Sequence, residues 1–418
     1  MLFSTAARRD PKVAVRALAP LLAAASLMAP PLAVFVPLAI APLVGALAIL
    51  VAAVGRPAAL RASREPRAVA ILLLLLALWA AFSALWSPIP GHSLVEAGRF
   101  LLISIAGLVI LGACCSLDEQ GAARLGVAVL GGTILAIALL QLELRAGEPL
   151  GHLLKHLPRD QFLPMERYDR GVTVLMLMAW PAAAGLLRQK RVLIAVIMAA
   201  LTLATLLEFV SQAAALAALV GLAVLPGGWF APRLVAAGLI APVLAMGLVF
   251  PPLAPDGHAI AAIHRAVPEI KISGIHRLAI WRFAAEHIAE HPVLGWGMDA
   301  ARALPGGKTP VSVVMPEVEL PPTSEILPLH PHDAALQWRL ELGLPGFLLA
   351  AALVAWLLLR VAGTPIAWYR ALGFGYTAAV LTVALLSYGA WQEWWLAALW
   401  LSAAGLAGLR PRAAMPSP

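Results

Sequence analysis

The sequence predicts an all-α protein that crosses a membrane many times, and its composition carries this prediction. Of 418 residues, 61% are hydrophobic and only 12% are charged, whereas a soluble domain carries roughly a quarter charged residues. The mean hydropathy is +0.88. These values exclude an ordinary soluble enzyme and a disordered chain. Cys114 and Cys115 are adjacent and have no second pair, so they predict neither a disulfide framework nor a zinc site.

Twelve apolar segments have about the length that a membrane-spanning helix needs, which is about 20 residues. The predicted spans are roughly 13–30, 32–54, 68–86, 96–115, 123–142, 171–187, 191–208, 211–226, 233–251, 341–359, 370–388 and 391–408. We place the first break at Pro30-Pro31 and expect an uncleaved helix pair after the basic N-terminus.

The spans predict three regions. Residues 1–251 hold helices 1–9 with a loop at about 143–170, residues 252–340 form a large loop, and residues 341–418 hold the last three helices and a tail.

The net charge of +8 is sorted along this topology. With the N-terminus in the cytoplasm, the cytoplasmic segments hold 17 of the 30 basic residues but only four of the 22 acidic ones, as the positive-inside rule requires. Both termini are then cytoplasmic, and all ten histidines and both long loops lie on the opposite side. The basic balance therefore reports membrane orientation rather than nucleic-acid binding. A reaction on the opposite side of the membrane is unlike one that uses ATP or nucleotide sugars, because these substrates are found in the cytoplasm. The sequence also has no P-loop.

Tryptophans fall near the predicted membrane interfaces, where aromatic side chains commonly anchor a protein. Trp79 and Trp86 lie near one interface, and Trp391, Trp394 and Trp395 lie near another. We expect interfacial anchoring from all five.

The large loop contains an amphipathic segment, 274–298, with a broad apolar face and with polar residues that include His276 and Arg277. We expect a helix stopped by Pro292 and followed by a Gly295-Trp296-Gly297 turn. A helix lying on the membrane surface explains the same pattern, and Arg277 would then meet lipid headgroups.

The segment 328–346 predicts a helix that begins near His332. Asp333, Gln337 and Glu341 recur every four residues and form one polar stripe. Ionisable groups at a membrane entry usually face a cavity or a partner. His332 could instead be an exposed helix-capping residue, and His330 with His332 gives only a weak metal signal.

Three arginines lie at the same predicted membrane face. Arg167 and Arg170 precede an apolar run, and Arg99 follows Glu96 inside another. Such side chains commonly reach up to lipid headgroups, but an arginine at a helix N-terminus also makes a phosphate site. Ser211-Gln212 interrupts two apolar runs at this level.

Four stretches resemble the O-antigen ligase family, which shares a superfamily with the O-antigen polymerases. They are Asp169-Arg170-Gly171 with Trp180-Pro181; Gly274 to Trp281 leading to His291 through Gly297; His330-Pro331-His332-Asp333 with Gln337, Glu341, Gly343 and Gly346; and Leu85-Trp86-Ser87 with Pro90 before Arg99. The third includes the family's histidine followed by glycine eleven positions on. Gln212 and Asp333 depart from the family, which often has Arg and Asn there.

This resemblance implies a fold similar to the GT-C-type membrane glycosyltransferases and a periplasmic active site at the inner membrane. The implied reaction moves a glycan from undecaprenyl diphosphate to a sugar hydroxyl of the lipid A-core, in lipopolysaccharide biosynthesis, without ATP, nucleotide or other cofactor. The alternatives are an O-antigen or exopolysaccharide polymerase with a lipid-linked acceptor, and a polysaccharide or lipid transporter.

The sequence suggests roles for these residues in such a transfer. His332 is the candidate general base. Arg170 and Arg277, with Arg99 as a lesser third, are candidates to hold the diphosphate. His330, Asp333, Gln337, Glu341 and Arg167 are expected to support the site or bind sugar, and no metal is predicted.

Overall fold

The computed structural model describes residues 11–60, 65–321 and 324–411. In this part of the chain the regular structure is helical, connected by turns and irregular segments, with one isolated bridge between Pro310 and Glu325. Six residues used in the charge argument lie outside the described residues: Arg8, Arg9, Asp10, Arg61, Arg64 and Arg412. The α-helices are α1 (Pro11–Phe35), α2 (Ile40–Leu60), α3 (Glu65–Phe82), α4 (Pro90–Ser116), α5 (Glu119–Arg145), α6 (Pro149–Lys155), α7 (Asp169–Arg188), α8 (Val192–Glu208), α9 (Gln212–Phe230), α10 (Pro232–Leu244), α11 (Phe250–Leu253), α12 (Gly257–Ala266), α13 (Ile272–Glu290), α14 (Val311–Val314), α15 (Ala334–Ala362), α16 (Ala367–Leu386) and α17 (Glu393–Gly408).

Helices occupy all twelve predicted spanning positions. Among the described residues, ten helical segments are long and apolar enough to cross a membrane. The helices α8 and α17 fill the other two positions but are shorter, with 17 and 16 residues. The predicted fold class, an all-α multi-pass membrane protein, is therefore confirmed. The boundaries of the three predicted regions remain predictions.

The predicted break at Pro30-Pro31 is wrong. Helix α1 continues through both prolines, and the chain breaks at Val36, which precedes a short 3₁₀ turn over Pro37–Ala39. The two prolines lack the N–H groups that would bond the carbonyls four residues earlier, those of Ser26 and Leu27. Gly132 of α5 packs directly against these carbonyls, since a Cβ at Gly132 would lie 2.6 Å from the Leu27 oxygen. Helix α1 therefore continues through its two prolines at a place where it packs closely against α5.

Helix α7 is the central element of the bundle. Its membrane segment is 83% buried inside the protein, and it contacts α1, α5, α8, α9, α16 and α17. Its first turn faces the same end of the bundle as the long loops, which we name the loop end. Arg170 therefore stands at the loop end of the most buried helix.

The large loop packs onto the bundle through α13 and the first half of α15. The apolar side chains of α13 are buried against Leu336 and Leu340 of α15, with Ile275, Ala279 and Ile280 each at most 1% exposed. The alternative that this helix lies on the membrane surface is therefore wrong, because its apolar face packs against protein. The helix ends at Glu290, two residues before Pro292 as predicted.

Helix α15 is broken at Gly343, whose φ of 63° and ψ of −161° are not helical. The break frees backbone carbonyls, and the turn 291–297 bonds two of them: Trp296 N–H donates to Leu340 O at 3.0 Å and Gly297 N–H to Glu341 O at 2.7 Å. Trp79 Nε1 donates to a third, Leu342 O, at 2.8 Å. Neighbouring groups thus bond three backbone carbonyls beside the break.

The tryptophan prediction is wrong for several positions. Trp391, Trp394 and Trp395 are buried, at 6%, 3% and 2% exposure. Trp86 Nε1 donates to Gly295 O at 3.1 Å, so it holds the 291–297 turn as Trp79 holds α15. These indoles stabilise loop-end structure, and interfacial anchoring does not account for them.

Candidate active site

The turn between α16 and α17, residues 387–392, is the place where several predicted site residues meet. His332 Nδ1 lies 2.6 Å from Ser387 O, and Ala390 N–H donates to Gln337 Oε1 at 2.8 Å. Gln392 contacts the His330 ring, with its Nε2 at 3.3 Å from His330 Nε2. The sequence SYGAWQ thereby holds both histidines and the polar face of α15.

The surroundings of His332 favour the uncharged form of its ring. The φ of His332, +57°, is in the left-handed region, which turns the chain sharply before α15. A carbonyl only accepts hydrogen bonds, so the contact with Ser387 O places the proton on Nδ1 and leaves the Nε2 lone pair free. Burial lowers the pKa of His332, and the nearby Arg277 and His276 lower it further, although the bond to Ser387 raises it.

His330 is a neutral neighbour of His332. The two ring centroids are 4.4 Å apart, and His332 N–H donates to His330 Nδ1 at 3.2 Å. Burial, with the nearby His332 and Arg302, lowers the pKa of His330 to about 3. The ring packs on Gly389, where an added Cβ would lie 2.9 Å from His330 Cδ2. His330 therefore packs against His332 and stays uncharged at neutral pH.

Helix α13 places Arg277 beside His332. Two bonds fix the helix to the segment before α15: Trp281 Nε1 donates to Pro331 O at 2.9 Å, and His276 Nε2 lies 2.7 Å from Glu325 O. Arg277 is half-buried, and its loss of hydration lowers its pKa. Among the residues that the structure describes, Arg277 forms no hydrogen bond and no ion pair. A half-buried cation of this kind is suited to an anionic ligand.

Arg170 approaches the same turn from α7. Its guanidinium lies 5.7 Å from the ring centre of Trp394, at the start of α17. The neighbouring Tyr388 hydroxyl is 3.2 Å from Thr173 Oγ1, and burial raises the pKa of Tyr388 to about 12. Arg170 therefore stands over an aromatic surface that continues into the turn holding His332.

The polar stripe predicted along α15 is only partly formed. Gln337 Nε2 donates to Glu341 Oε1 at 3.1 Å, and the buried Glu341 also accepts from Trp391 Nε1 and from Asp299 N–H at 2.9 Å. Asp333 lies outside the helix as its N-cap, with Oδ1 accepting from Leu336 N–H at 2.8 Å. This correction has a simple cause, because a capping residue has extended backbone and its side chain turns back to the first helical turn.

Asp333 keeps one unused oxygen. Its Oδ2 is buried and has no hydrogen-bond partner among the described residues, and burial raises its pKa to about 7. Neither Asp333 nor Gln337 nor Glu341 makes a hydrogen bond to His332. The group that orients His332 is the Ser387 carbonyl.

Arg99 belongs to a separate charged group at the start of α4. It pairs with Glu96 at 2.8 Å and with Glu393 at 3.2 Å, and its side chain is 53% exposed. Two carboxylates therefore already offset its charge, in contrast to Arg277.

Within the described chain, His92, Glu96 and Asp299 bring three possible metal-ligand atoms within 4.8 Å of one another. His92 Nε2 is 2.7 Å from Asp299 Oδ2, which Arg302 also contacts at 2.6 Å. Since Arg99 and Arg302 bind the two carboxylates, protein cations already supply the positive charge in this cluster.

Arg167 stabilises the first long loop. It pairs with Glu148 at 3.4 Å and covers the Tyr168 ring at 5.0 Å. Below it, the fully buried Glu143 accepts from Gly151 N–H and from the Tyr168 hydroxyl at 2.8 and 2.6 Å. Arg167 Nη1 is buried without a hydrogen-bond partner among the described residues.

Sequence reasoning missed the α16–α17 turn. Ser387 contacts His332 through its backbone carbonyl, which every residue type has. The position of Trp391 in the sequence is typical of an interfacial tryptophan. The available signal was the combination of a glycine, Gly389, with four polar or aromatic residues between two apolar runs, which is unusual for a simple connection.

The fold and the site define a class: an all-α multi-pass membrane protein in which the half-buried His332 and Arg277 lie at the loop end of the bundle. Residues 193–351 match the model of the O-Antigen ligase family, a range that includes Arg277, His332 and the break in α15. This match confirms the resemblance to that family that the motifs indicated.

Relatives with the name "Putative polysaccharide ligase" occur in Rickettsia species. One from Rickettsia bellii is 28% identical over 333 residues, which cover 78% of this chain and 77% of that protein. One from Rickettsia felis is 32% identical over 130 residues, 31% of each chain. A third, from Rickettsia typhi, is 32% identical over 157 residues. The match spans only about a third of the Rickettsia typhi and Rickettsia felis relatives. Together the matches support a ligase-type role.

Proposed function

We propose that the protein is an O-antigen ligase that transfers a glycan from undecaprenyl diphosphate to a sugar hydroxyl of the lipid A-core. The transfer takes place at the periplasmic face of the inner membrane, in lipopolysaccharide biosynthesis. The family match and the relatives support a ligase-type enzyme with a lipid-linked glycan substrate. The observation that carries the proposal is the neutral His332 beside Arg277, a cation without a described counter-ion.

In the proposed reaction, an acceptor hydroxyl attacks C1 of the donor sugar while the bond from C1 to the diphosphate oxygen breaks. His332 Nε2 takes the hydroxyl proton, and the electron pair of the broken bond leaves on the diphosphate. Attack opposite the leaving group inverts the anomeric centre. The fixed Nδ1–H bond to Ser387 O keeps Nε2 unprotonated and correctly oriented before the reaction.

The leaving diphosphate gains negative charge, which Arg277 and Arg170 stabilise by charge-assisted hydrogen bonds. Arg277 is the stronger candidate, since its charge has no described partner. Arg99 remains a lesser third, because Glu96 and Glu393 already bind it. With these cations in place the transfer proceeds without a metal or another cofactor.

His330 and the α15 polar network hold the base in position. Gln337 and Glu341 connect α15 to the α16–α17 turn and to the 291–297 turn. Asp333 Oδ2 is free among the described residues to bind a sugar hydroxyl.

The lipopolysaccharide of a deletion strain tests the ligase assignment. A ligase deletion leaves bare core while lipid-linked polymer accumulates. A core that bears a single repeat would identify the alternative, an O-antigen polymerase, and would overturn the proposal.

Transfer by the purified protein in detergent tests the catalytic assignment. His332→Ala should lower the transfer rate about 10²–10⁴-fold, the usual contribution of a general base, while the exposed loop histidine variant His258→Ala serves as a matched control. A His332→Ala enzyme with near wild-type transfer would contradict the base role. Transfer that fails in detergent without a gradient would favour the transporter alternative.

Chelation tests the metal-free reaction. Transfer should continue after exhaustive EDTA treatment. Loss of activity that Mg²⁺ or Mn²⁺ restores would overturn this part of the proposal, and would direct attention to His92, Glu96 and Asp299.

A further inference from the structure

A cavity of about 530 Å³ lies at the end of the bundle opposite the loop end. Its walls come from the ends of α3, α4, α5, α7, α15 and α17 and from the turn between α15 and α16. Three arginines line it: Arg188, Arg360 and Arg410. The volume is within the range of small-molecule and cofactor sites. The reaction proposed above uses none of these residues.

The cavity has a charged part and an apolar part. Arg188 and Arg360 stand in the last turns of α7 and α15, and Arg410 follows α17. The rest of the wall is largely apolar, with Val69, Leu111, Trp356 and Leu357 among its side chains. A ligand that fits this wall needs an anionic head and an apolar body.

The charged side chains among the residues that line the cavity are all basic. None of the described residues that line it is acidic. The carboxylate of Glu119 pairs with Arg188 from outside the lining, and Arg188 Nη1 also donates to Arg410 O at 3.3 Å. The Arg360 guanidinium lies 5.8 Å from the ring centre of Trp356. These contacts fix the positions of Arg188 and Arg360, and Glu119 offsets part of the charge of Arg188.

The position of the cavity selects the ligand. Arg188 is the last residue of one candidate membrane span and Arg360 lies in the last turn of another, so the cavity is at a membrane boundary. Basic pockets between spanning helices at such a boundary bind the headgroups of anionic lipids. We infer that this cavity binds an anionic phospholipid, with its phosphate among Arg188, Arg360 and Arg410 and an acyl chain along the apolar wall.

Lipid retention by the purified full-length protein tests this inference. Native mass spectrometry compares phosphatidylglycerol with phosphatidylcholine of the same acyl chains. The wild-type protein should retain phosphatidylglycerol preferentially. The double variant Arg360→Gln, Arg410→Gln should lose this preference about tenfold or more, since each arginine near a membrane surface contributes on the order of 1 kcal/mol toward anionic lipid.

Two further variants separate the cavity from general effects. Arg233→Gln removes an exposed arginine that begins α10 and does not line the cavity, so it should retain the preference. Ala407→Phe fills the cavity without changing charge and should reduce phosphatidylglycerol binding while the protein remains folded by its thermal transition.

Three results would overturn the inference. They are equal retention of the two lipids by the wild-type protein, retention of phosphatidylglycerol by both the double variant and Ala407→Phe, and displacement of the lipid by millimolar inorganic phosphate. The last result would identify the cavity as a site for free phosphate.

Discussion

The hydrogen bond from His332 to the Ser387 carbonyl gives this histidine a different character from one paired with a carboxylate. A carbonyl fixes the tautomer and the ring orientation, but it has no net charge with which to stabilise an imidazolium. Arg277 and His276 add positive potential, and burial disfavours the charged ring. The site therefore favours the unprotonated ring of His332. In the proposed reaction, the proton that His332 takes would be balanced by the charge that develops on the leaving diphosphate.

The pH dependence of the proposed transfer follows from this environment. Because the pKa of His332 is lowered, the base stays unprotonated to a more acidic pH than an ordinary histidine, whose pKa is about 6.5. We expect kcat/KM to be constant near neutral pH and to fall only at pH values below about 6.5, the pKa of an ordinary histidine. The measurement is a pH profile of transfer by the purified enzyme.

Two variants test which residue causes the fall of kcat/KM at acidic pH, the acidic limb of the pH profile. Arg277→Gln removes a charge that lowers the pKa of His332, so the limb should move to higher pH along with a lower rate. Asp333, whose pKa is about 7, could give a limb of its own. Asp333→Asn keeps the helix cap and should leave the limb in place. If the acidic limb disappears in Asp333→Asn, the titrating group is Asp333 and the assignment to His332 is wrong.

At the residue scale, sequence could predict the groups whose chemistry is in their side chains. His332, Arg277 and Gly343 each belong to a motif with characteristic spacing, and the structure gives each a distinctive environment. Ser387 was not predictable because a backbone carbonyl has no signature. Asp333 was placed inside the helix because a spacing of four residues does not distinguish a cap from the first turn.

At the scale of elements, the break in α15 connects the loop to the bundle. Gly343 makes it possible, since its φ of 63° and ψ of −161° are essentially confined to glycine. The 291–297 turn then occupies the gap and bonds the freed carbonyls. This explains in physical terms why a glycine stands eleven residues after His332.

Gly343→Ala should abolish transfer and destabilise the protein. A Cβ at Gly343 would lie 2.0 Å from Val293 O, so the 291–297 turn would have to move. We expect a clear loss of thermal stability in detergent. Gly98→Ala is the matched control, because Gly98 lies in α4 with no atom within 4 Å of an added Cβ, and its effect should be neutral or slightly stabilising. Equal thermal transitions for the two variants would contradict this account of α15.

The α16–α17 turn permits a test with neighbouring residues. Ser387→Ala keeps the carbonyl that orients His332, so transfer should remain near the wild-type rate. Gly389→Ala places a methyl group 2.9 Å from the His330 ring, which should displace the histidine pair and lower kcat about tenfold or more. The measurement is the transfer rate of the two purified variants, compared after their thermal transitions are shown to be equal. A Gly389→Ala enzyme as active as Ser387→Ala would show that the turn does not position the histidines.

The positions of the helices were more predictable from the sequence than the breaks and contacts between them. Apolar length predicted the positions of twelve helices, ten of which are long and apolar enough to cross a membrane among the described residues, because a span needs about 20 apolar residues wherever it packs. The break after α1 was misplaced because proline changes only local bonding, whereas the contact of Gly132 with the carbonyls of Ser26 and Leu27 depends on a distant helix. The burial of α13 was undecided for the same reason, since its partner in α15 is remote in sequence.

For the whole molecule, the two ends of the bundle have different charge and different chemistry. The described loop end holds the histidines, paired acids and Arg277, while the opposite end holds the cavity lined by Arg188, Arg360 and Arg410. The positive-inside rule assigns the basic end to the cytoplasm. This orientation is a proposal, and it decides which substrates can reach His332.

Cysteine labelling tests the orientation. Cys114 and Cys115 are first replaced, and single cysteines are introduced as Lys308→Cys in the large loop and Arg191→Cys between α7 and α8, both at exposed positions. A membrane-impermeant maleimide should label position 308 in cells with a permeable outer membrane, and position 191 only after the inner membrane is opened. The reverse pattern would place His332 in the cytoplasm, where nucleotide-sugar donors are available. The proposed use of a lipid diphosphate as the energy source for transfer would then lose its physical reason.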